Sequence, residues 1–311
     1  MAMRKVATGK AGERKSLLKR IWKARTAYLL LLPLVAGLLI TAYYPPISGL
    51  YHAFFDWNVT GKEIFIGFKN FKELFSDSVF LNSVPTLLKI GIPRLLISII
   101  VPLIMAELIF AVKNPKLKYV YRVAVLLPMV APGLVSTMLW EKIFDPQFGL
   151  LTILLRMIGV LGPEDIVNWL GDVKLVIPSL IFKGFPWIGG TAVLIYMAGL
   201  MEISTEVIEA SILDGCSTWK RIRYVDLPQI VGQIKYFLVF GLIGVIQDYN
   251  DQLIITEGGP GYTTYVPGYY MYVKAFTAGR MGYASAVGFV MFIVIFVLTI
   301  LVMRPGRSRE E

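Results

Sequence analysis

Glu202, Glu206, Glu209, Asp214, Lys220, Arg221, Arg223 and Asp226 crowd the stretch Met201 to Ile230 of a chain in which only 17% of residues are charged. Their spacing suits docking better than catalysis. Glu202, Glu206 and Glu209 recur at helical intervals, with Ser204 or Thr205 as a cap before them. Asp214-Gly215 then stops the helix, since glycine tolerates the left-handed conformation of a helix end. A second short helix is expected from Ser217 to Asp226, ending at Pro228, whose nitrogen cannot donate. Two short polar helices between long apolar runs make a knob that another subunit can grip. On these residues alone a solvated loop remains an open alternative.

The motifs sought for bond-making chemistry are missing from the sequence. There is no glycine-rich loop ending in Gly-Lys-Ser/Thr, no His-Glu-x-x-His pair and no Gly-x-Ser-x-Gly elbow; Gly9-Lys10 and Gly61-Lys62 lack the rest of a phosphate loop. His52 is the only histidine and Cys216 the only cysteine, so neither a histidine pair for a metal nor an internal disulfide can form. No catalytic or metal-ligating residue is assigned, and no cofactor is expected on this chain.

A second group of polar residues lies inside the apolar runs. Lys89, Arg94 and Glu107 fall in one run, Lys183-Gly184-Phe185-Pro186-Trp187 and Gly189-Gly190 in another, and Gly241, Gly244, Gln247 and Asp248 in a third. A charge at the centre of a bilayer costs about 2.5 to 3.5 kcal/mol on insertion scales, so such residues face a bundle interior or a wet cavity. Lys89 is close enough to one end to snorkel, and Glu107 is expected to pair with Lys113 or Arg122. Arg94 is deeper, and both a structural and a functional role stay open for it. Gly241, Gly244 and Asp248 share one helical face; close helix packing and room for a solute are both compatible with that face.

The elements that must position these residues are membrane helices. Of the 311 residues 56% are hydrophobic, and the mean hydropathy is +0.65. A helix needs ~20 apolar residues to cross the hydrocarbon core. Six runs qualify: Ala27 to Ile47, Val84 to Val112, Tyr119 to Trp140, Leu175 to Leu200, Ile234 to Ile255 and Ala284 to Met303. They lack the alternation of barrel strands. The expected fold is all-α, a polytopic membrane protein with six transmembrane helices.

Basic residues cluster in the N-terminal arm, at Lys113 to Arg122, at Lys220 to Lys235 and at Arg304 to Arg309, which places those segments and both termini in the cytoplasm. The net charge of +10 then serves anionic lipid headgroups and not nucleic acid. The first run is too long for a cleaved signal segment and is read as retained. Residues 1–26 form a basic cytoplasmic tail, 27–303 the transmembrane domain with the polar loop at 201–230, and 304–311 a cytoplasmic tail. Asp56 to Asn82 is expected outside, and Gly149 to Gly162, too short to span, as an interfacial or outer-face helix.

Glu209-Ala210-Ser211, Gly215 six positions after the glutamate, and Val225-Asp226-Leu227-Pro228 resemble the EAA loop of permease subunits in bacterial ABC importers. That pattern reads EAA, three residues, G, nine residues, I-x-L-P; here Ser211 and Val225 replace Ala and Ile. Tyr28 to Pro33, Gly67-Phe68-Lys69-Asn70-Phe71, Thr256-Glu257-Gly258-Gly259-Pro260 and Gly282 to Ala286 are similar, in order and spacing, to the maltose/glycerol-phosphate type of sugar permease.

The resemblance implies that Glu209, Ala210, Ser211, Asp214, Gly215, Leu227 and Pro228 couple to an ATPase dimer. That partner binds ATP and magnesium. It also implies a second homologous permease, an extracytoplasmic solute-binding protein, and a carbohydrate carried by alternating access across the bacterial plasma membrane. Gly184-Phe185-Pro186-Trp187 resembles a sugar-contact stretch of the family, and alignment places Gly241, Gly244, Val245 and Asp248 on the substrate path with Gly184 and Trp187. Asp248 stands where the maltose protein has an amide, and the glycines replace larger side chains, which points to an oligosaccharide other than maltose. A secondary carrier and a membrane-embedded enzyme are the alternatives; the first needs ion-coupling charges and repeated halves, the second a reactive cluster.

Overall fold

A computed structural model describes residue 19 and residues 22–304 apart from 59 and 62. The N-terminal arm and the C-terminal tail fall almost wholly outside the described residues. Helix α1 (Arg25–Leu38) continues through a π-helical turn, Leu39–Tyr43, into α2 (Tyr44–His52). No residue of α1 is buried, as suits a helix that is apolar all round beyond Arg25 and Thr26 and faces hydrocarbon. A two-residue antiparallel ladder follows, β1 (Phe55–Asp56) with β2 (Ile64–Phe65), and then α3 (Lys69–Leu74). Asn70 holds this hairpin by donating to the Ala53 and Phe55 carbonyls, both at 3.0 Å.

The central element is α4 (Ser78–Ala111), 34 residues long and therefore about 50 Å at 1.5 Å per residue. Asp77 caps it, accepting from the amides of Val79 at 2.8 Å and Phe80 at 3.3 Å, which satisfies two of the orphan donors at a helix start. Asn114 caps α5 (Pro115–Ala124) in the same way.

Helix α6 (Gly133–Ile143) follows at a bend of 86°, because Pro128 and Pro132 interrupt the backbone ladder. The run expected from Tyr119 to Trp140 is therefore a broken pair. Helix α7 (Leu150–Met157) occupies the expected short segment between spans.

The run expected from Leu175 to Leu200 is also discontinuous. Helix α8 (Val176–Phe182) ends at Lys183, and α9 (Gly190–Met201) begins seven residues later. The interruption contains Gly184 at φ +91° and Trp187 at φ 56°, a left-handed conformation that costs a bulky residue of order 1–3 kcal/mol and is held by its surroundings. In the fifth run, α13 (Val231–Gln247) unwinds at Asp248 and resumes as a π-helical turn, Gln252–Thr256. Helix α14 (Pro267–Tyr272) and a further π turn, Val273–Thr277, lead to α15 (Met281–Met303).

Among the described residues four helices are long and apolar enough to cross a membrane, or up to six if each bent pair, Pro115–Val130 with Gly133–Ile143 and Gly190–Met201 with Thr205–Leu213, counts as one span. Apolar packing divides by height along α4. At the end bearing the 201–230 loop, Ala106 and Ile109 meet Val193, Tyr196, Met197 and Leu200 of α9. At the hairpin end, Leu74 and Phe80 pack with Tyr270, Tyr283 and Val287. Ile90, Leu180, Val266 and Tyr269 form a third cluster. The backbone at the hairpin end is equally tight: the Gly282 amide donates to the Trp57 carbonyl at 2.9 Å, and a Cβ on Gly282 would collide with the Phe55 carbonyl.

Candidate functional site: a charge node beside a polar cavity

Asp251 lies in the unwound part of the fifth run, with its side chain only 2% exposed. Arg94 of α4 and Lys183 at the end of α8 both pair with its carboxylate. Removing a lone carboxylate from water costs several kcal/mol, so a buried Asp requires such partners. Arg94 also donates to the Leu180 carbonyl at 2.6 Å, satisfying an acceptor left over where α8 ends. Its other nitrogen is 3.5 Å from Asp248. Lys183 additionally donates to Thr137 of α6 at 3.0 Å. One node thus ties together α4, α6 and the breaks of two discontinuous runs.

Arg94, which the sequence left between two roles, is a member of this node. Asp251 was not singled out from the sequence at all. Its only signal was a third acidic or amide group in Asp248-Tyr249-Asn250-Asp251, just past the glycine face of α13.

Two cavities open against the node. One, of about 250 Å³, is lined by Arg94, Lys183, Trp187, Asp248 and Asp251 together with Ile97, Ser98 and Pro102. The other, of about 550 Å³, is lined by Arg94, Ser98, Gly241, Gly244, Val245, Gln247, Asp248 and Asn250. A third, about 460 Å³ in volume, shares Ser98 and Gly241 with them and extends past Ile188 to Phe237.

The cavities bring together Trp187, Gly241, Gly244, Val245 and Asp248. Gly184 does not line them; it shapes the break, and a Cβ there would sit 3.6 Å from Cδ1 of Trp187. The Trp187 indole donates to the Ile181 carbonyl at 3.2 Å, and its ring meets Phe185 edge-on at 5.1 Å.

Both readings of the glycine face have a place. A Cβ on Gly241 would approach Leu95 to 2.6 Å, whereas nothing lies within 4 Å of one on Gly244. Close packing explains the first glycine, and open space the second.

The 201–230 loop folds as one helix, a turn and a second helical run made of three short pieces. Helix α10 (Thr205–Leu213) leaves α9 at an angle of 76°. Ser204 is its N-cap residue but makes no side-chain cap bond; its hydroxyl and the Glu206 backbone hold the Glu206 carboxyl below its usual value. Asp214 ends α10, Gly215 follows at φ +71°, and the Cys216 amide returns to the Ser211 carbonyl at 3.0 Å.

Ser217 caps α11 (Thr218–Arg221), and a π turn, Ile222–Asp226, leads into α12 (Leu227–Gln229). Glu209, Ala210, Asp214, Gly215 and Pro228 are exposed, Leu227 is half-buried and Ser211 is buried. Leu213, Trp219 and Tyr224 of the loop are each more than 70% exposed.

Inside the loop, Asp226 is fully buried and accepts from Arg221 at 3.0 Å. Glu107 does not pair with Lys113 or Arg122, as its position suggested. Both its carboxyl oxygens are buried without a hydrogen-bond partner, and the charges felt there are those of Asp226 and Arg221. Arg221 at the end of α11 and Asp226 at the end of the π turn, not Lys113 or Arg122, are the charges that reach Glu107 near the end of α4. Among the described residues no group of acidic, histidine or cysteine side chains is arranged to hold a metal.

Residues 81–304 match the family described as binding-protein-dependent transport system inner membrane component. A probable ABC transporter permease, YurN of Bacillus subtilis (strain 168), is 30% identical over 286 residues, covering 91% of this chain and 97% of that one. AmyD of Thermoanaerobacterium thermosulfurigenes, a probable permease for starch degradation products, is 30% identical, with 91% and 94% covered. Among solved structures, a bacterial ABC transporter that imports the acidic polysaccharide alginate superposes with a TM-score of 0.80 at 25% identity, covering 92% of this chain and 96% of that chain.

Proposed function

Because the chain belongs to the family of binding-protein-dependent transport system inner membrane components, we propose that it is the permease subunit of an ATP-driven ABC importer that carries an oligosaccharide by alternating access. The names of its relatives, which cover starch degradation products and trehalose and maltose, support a carbohydrate cargo. In this reading six spans cross the bacterial plasma membrane and both termini are cytoplasmic, in accord with the distribution of Lys and Arg. The loop at 201–230 is the EAA coupling loop. An ATPase dimer that binds ATP and magnesium grips it, a second homologous permease completes the path, and an extracytoplasmic binding protein delivers the sugar. A similar importer has been crystallised with its ligand-bound periplasmic protein.

One observation carries the mechanism. Ile203, Ile208, Val225, Leu227 and Ile230 of the loop pack on the cluster that contains Ala106 and Ile109 of α4 and Val193 to Leu200 of α9. Packed interiors transmit displacement instead of absorbing it. A push at Glu209, Gly215 or Pro228 therefore moves α4 and α9 together. Helix α4 carries Arg94 to the charge node, and α9 begins just beyond Trp187. ATP-driven closure of the ATPases moves the loop, the loop moves the helices that border the cavities, and hydrolysis resets them. The family match leaves a secondary carrier or a membrane enzyme with no observation in its favour.

The test is reconstitution. Purified with its ATPase and permease partners in liposomes, the chain is expected to take up a labelled oligosaccharide only with ATP inside and binding protein outside. Uptake by this chain without any ATP-hydrolysing companion would falsify the proposal.

A further inference from the structure

Four charged side chains line the cavities, two of each sign: Arg94, Lys183, Asp248 and Asp251. Both cations are already paired with Asp251, and Arg94 also faces Asp248 at 3.5 Å. The adjoining cavity shares Ser98 and Gly241 and has no charged lining residue. Among the described residues that line these cavities, therefore, no cation is left over for an anionic solute. To capture Arg94 or Lys183, an incoming carboxylate would have to displace Asp251, which has no water to retreat to.

Asp248 is the carboxylate most open to the cavities, with its side chain 37% exposed. It meets an anion as a like charge, and like charges brought together discriminate strongly. To a hydroxyl the same group is an acceptor; the Asn250 side chain donates to its Oδ1 at 2.9 Å, and Gln247 beside it supplies an amide donor and acceptor.

We propose that this path is built for neutral, hydroxyl-rich saccharides and rejects uronate-bearing ones, in contrast to the alginate importer that shares its fold. The inference rests on the carbohydrate reading above and adds the charge class of the cargo.

A matched pair of probes isolates charge from shape: tetragalacturonate and its fully methyl-esterified form, with maltotetraose as a second neutral chain. Binding to the purified, partner-assembled transporter is measured by saturation-transfer NMR. The ester and maltotetraose are expected to bind, and the free uronate more weakly by on the order of tenfold or more. Asp248→Asn narrows that gap. Asp251→Asn, which releases both cations, closes or reverses it; Asp248→Asn, at a half-exposed position, remains informative if the Asp251 variant does not assemble.

Free uronate bound as well as its ester by the native chain overturns the inference, as does a ratio unmoved in the variants. If no saccharide of either kind binds and the complete system with its binding protein takes none up, the carbohydrate reading itself fails and this inference with it.

Discussion

Arg94 and Asp251 are separated by 157 residues of sequence and joined in an ion pair whose acidic member is almost wholly withdrawn from solvent. Asp251→Ala leaves Arg94 and Lys183 without their shared partner. Breaking a buried pair from one side costs about 3–5 kcal/mol. The variant is expected to give less assembled protein and an earlier melt in detergent, with Asp251→Asn intermediate. Equal melting curves for the native chain and Asp251→Ala would deny the node its structural role.

Gly91 and Val245 test how closely α4 and α13 approach. A Cβ on Gly91 would run into Cγ1 of Val245, so Gly91→Ala overpacks the contact, at a cost of about 1–3 kcal/mol. Val245→Ala makes room for the added methyl. Stability should recover in the double variant, a coupling that a thermal-unfolding cycle of the two single and one double variants measures. Additive losses would mean that the helices do not meet there. Gly244→Ala serves as the control, since nothing lies within 4 Å of its added methyl.

Gly215 separates backbone demands from contacts. It has φ +71° and no atom within 4 Å of an added Cβ, so Gly215→Ala carries only the cost of a left-handed backbone, about 1–2 kcal/mol. Its amide donates to the Ile212 carbonyl at 3.0 Å. Gly215→Pro removes that donor and imposes a negative φ. The proline variant should insert at normal levels, lose transport and no longer show substrate-stimulated ATP hydrolysis, with the alanine variant in between. Normal uptake by Gly215→Pro would remove the loop from the coupling role.

Glu73 and Arg280 form a two-pronged ion pair at the hairpin end, at 2.6 and 2.7 Å. The hydrogen bond from Arg280 holds the Glu73 carboxyl below its ordinary value; burial opposes it, and the charges of Arg280 and Lys274 reinforce it. A depressed carboxyl stabilises the folded state above its unfolded value near 4.5, and that contribution disappears as pH falls through the lower folded value. Both side chains are 42% exposed, so the screened effect is about 1 kcal/mol or less. Melting followed from pH 7 down to pH 3 should show a shallower acid-side decline for Glu73→Gln than for the native chain. Parallel curves would assign that decline to other groups.

Asp77 reinforces the same end. Burial tends to raise its carboxyl, yet the Tyr270 hydroxyl at 2.6 Å, the Phe80 and Val79 amides and the Lys274 charge outweigh it and hold the value low. Capping α4 and tethering α14 are thus done by one side chain. That Tyr270, 193 residues away, reaches Asp77 is a product of folding.

What the residues reveal by themselves follows from local rules. Apolar length marks the membrane segments because backbone groups in hydrocarbon must bond within their own helix. Glycine at 215 ends the first helix of the polar loop because a left-handed φ is a property of that one residue; proline at 228 does not end the second, which runs on through it to Gln229. Helical spacing puts Gly241, Gly244 and Asp248 on one face, and that face borders a cavity.

Charge pairing is different. The partners of Asp251 lie 157 and 68 residues away, and Glu107 faces Arg221 and Asp226 instead of the basic residues next to it in the chain. Apolar patterning fixes which surface a helix buries, but not the height and rotation at which helices meet. The broken runs at Lys183 to Gly189 and Asp248 to Asp251 come to one level along α4 only in the folded bundle, where withdrawal from water draws Arg94 and Lys183 onto the one buried carboxylate of Asp251.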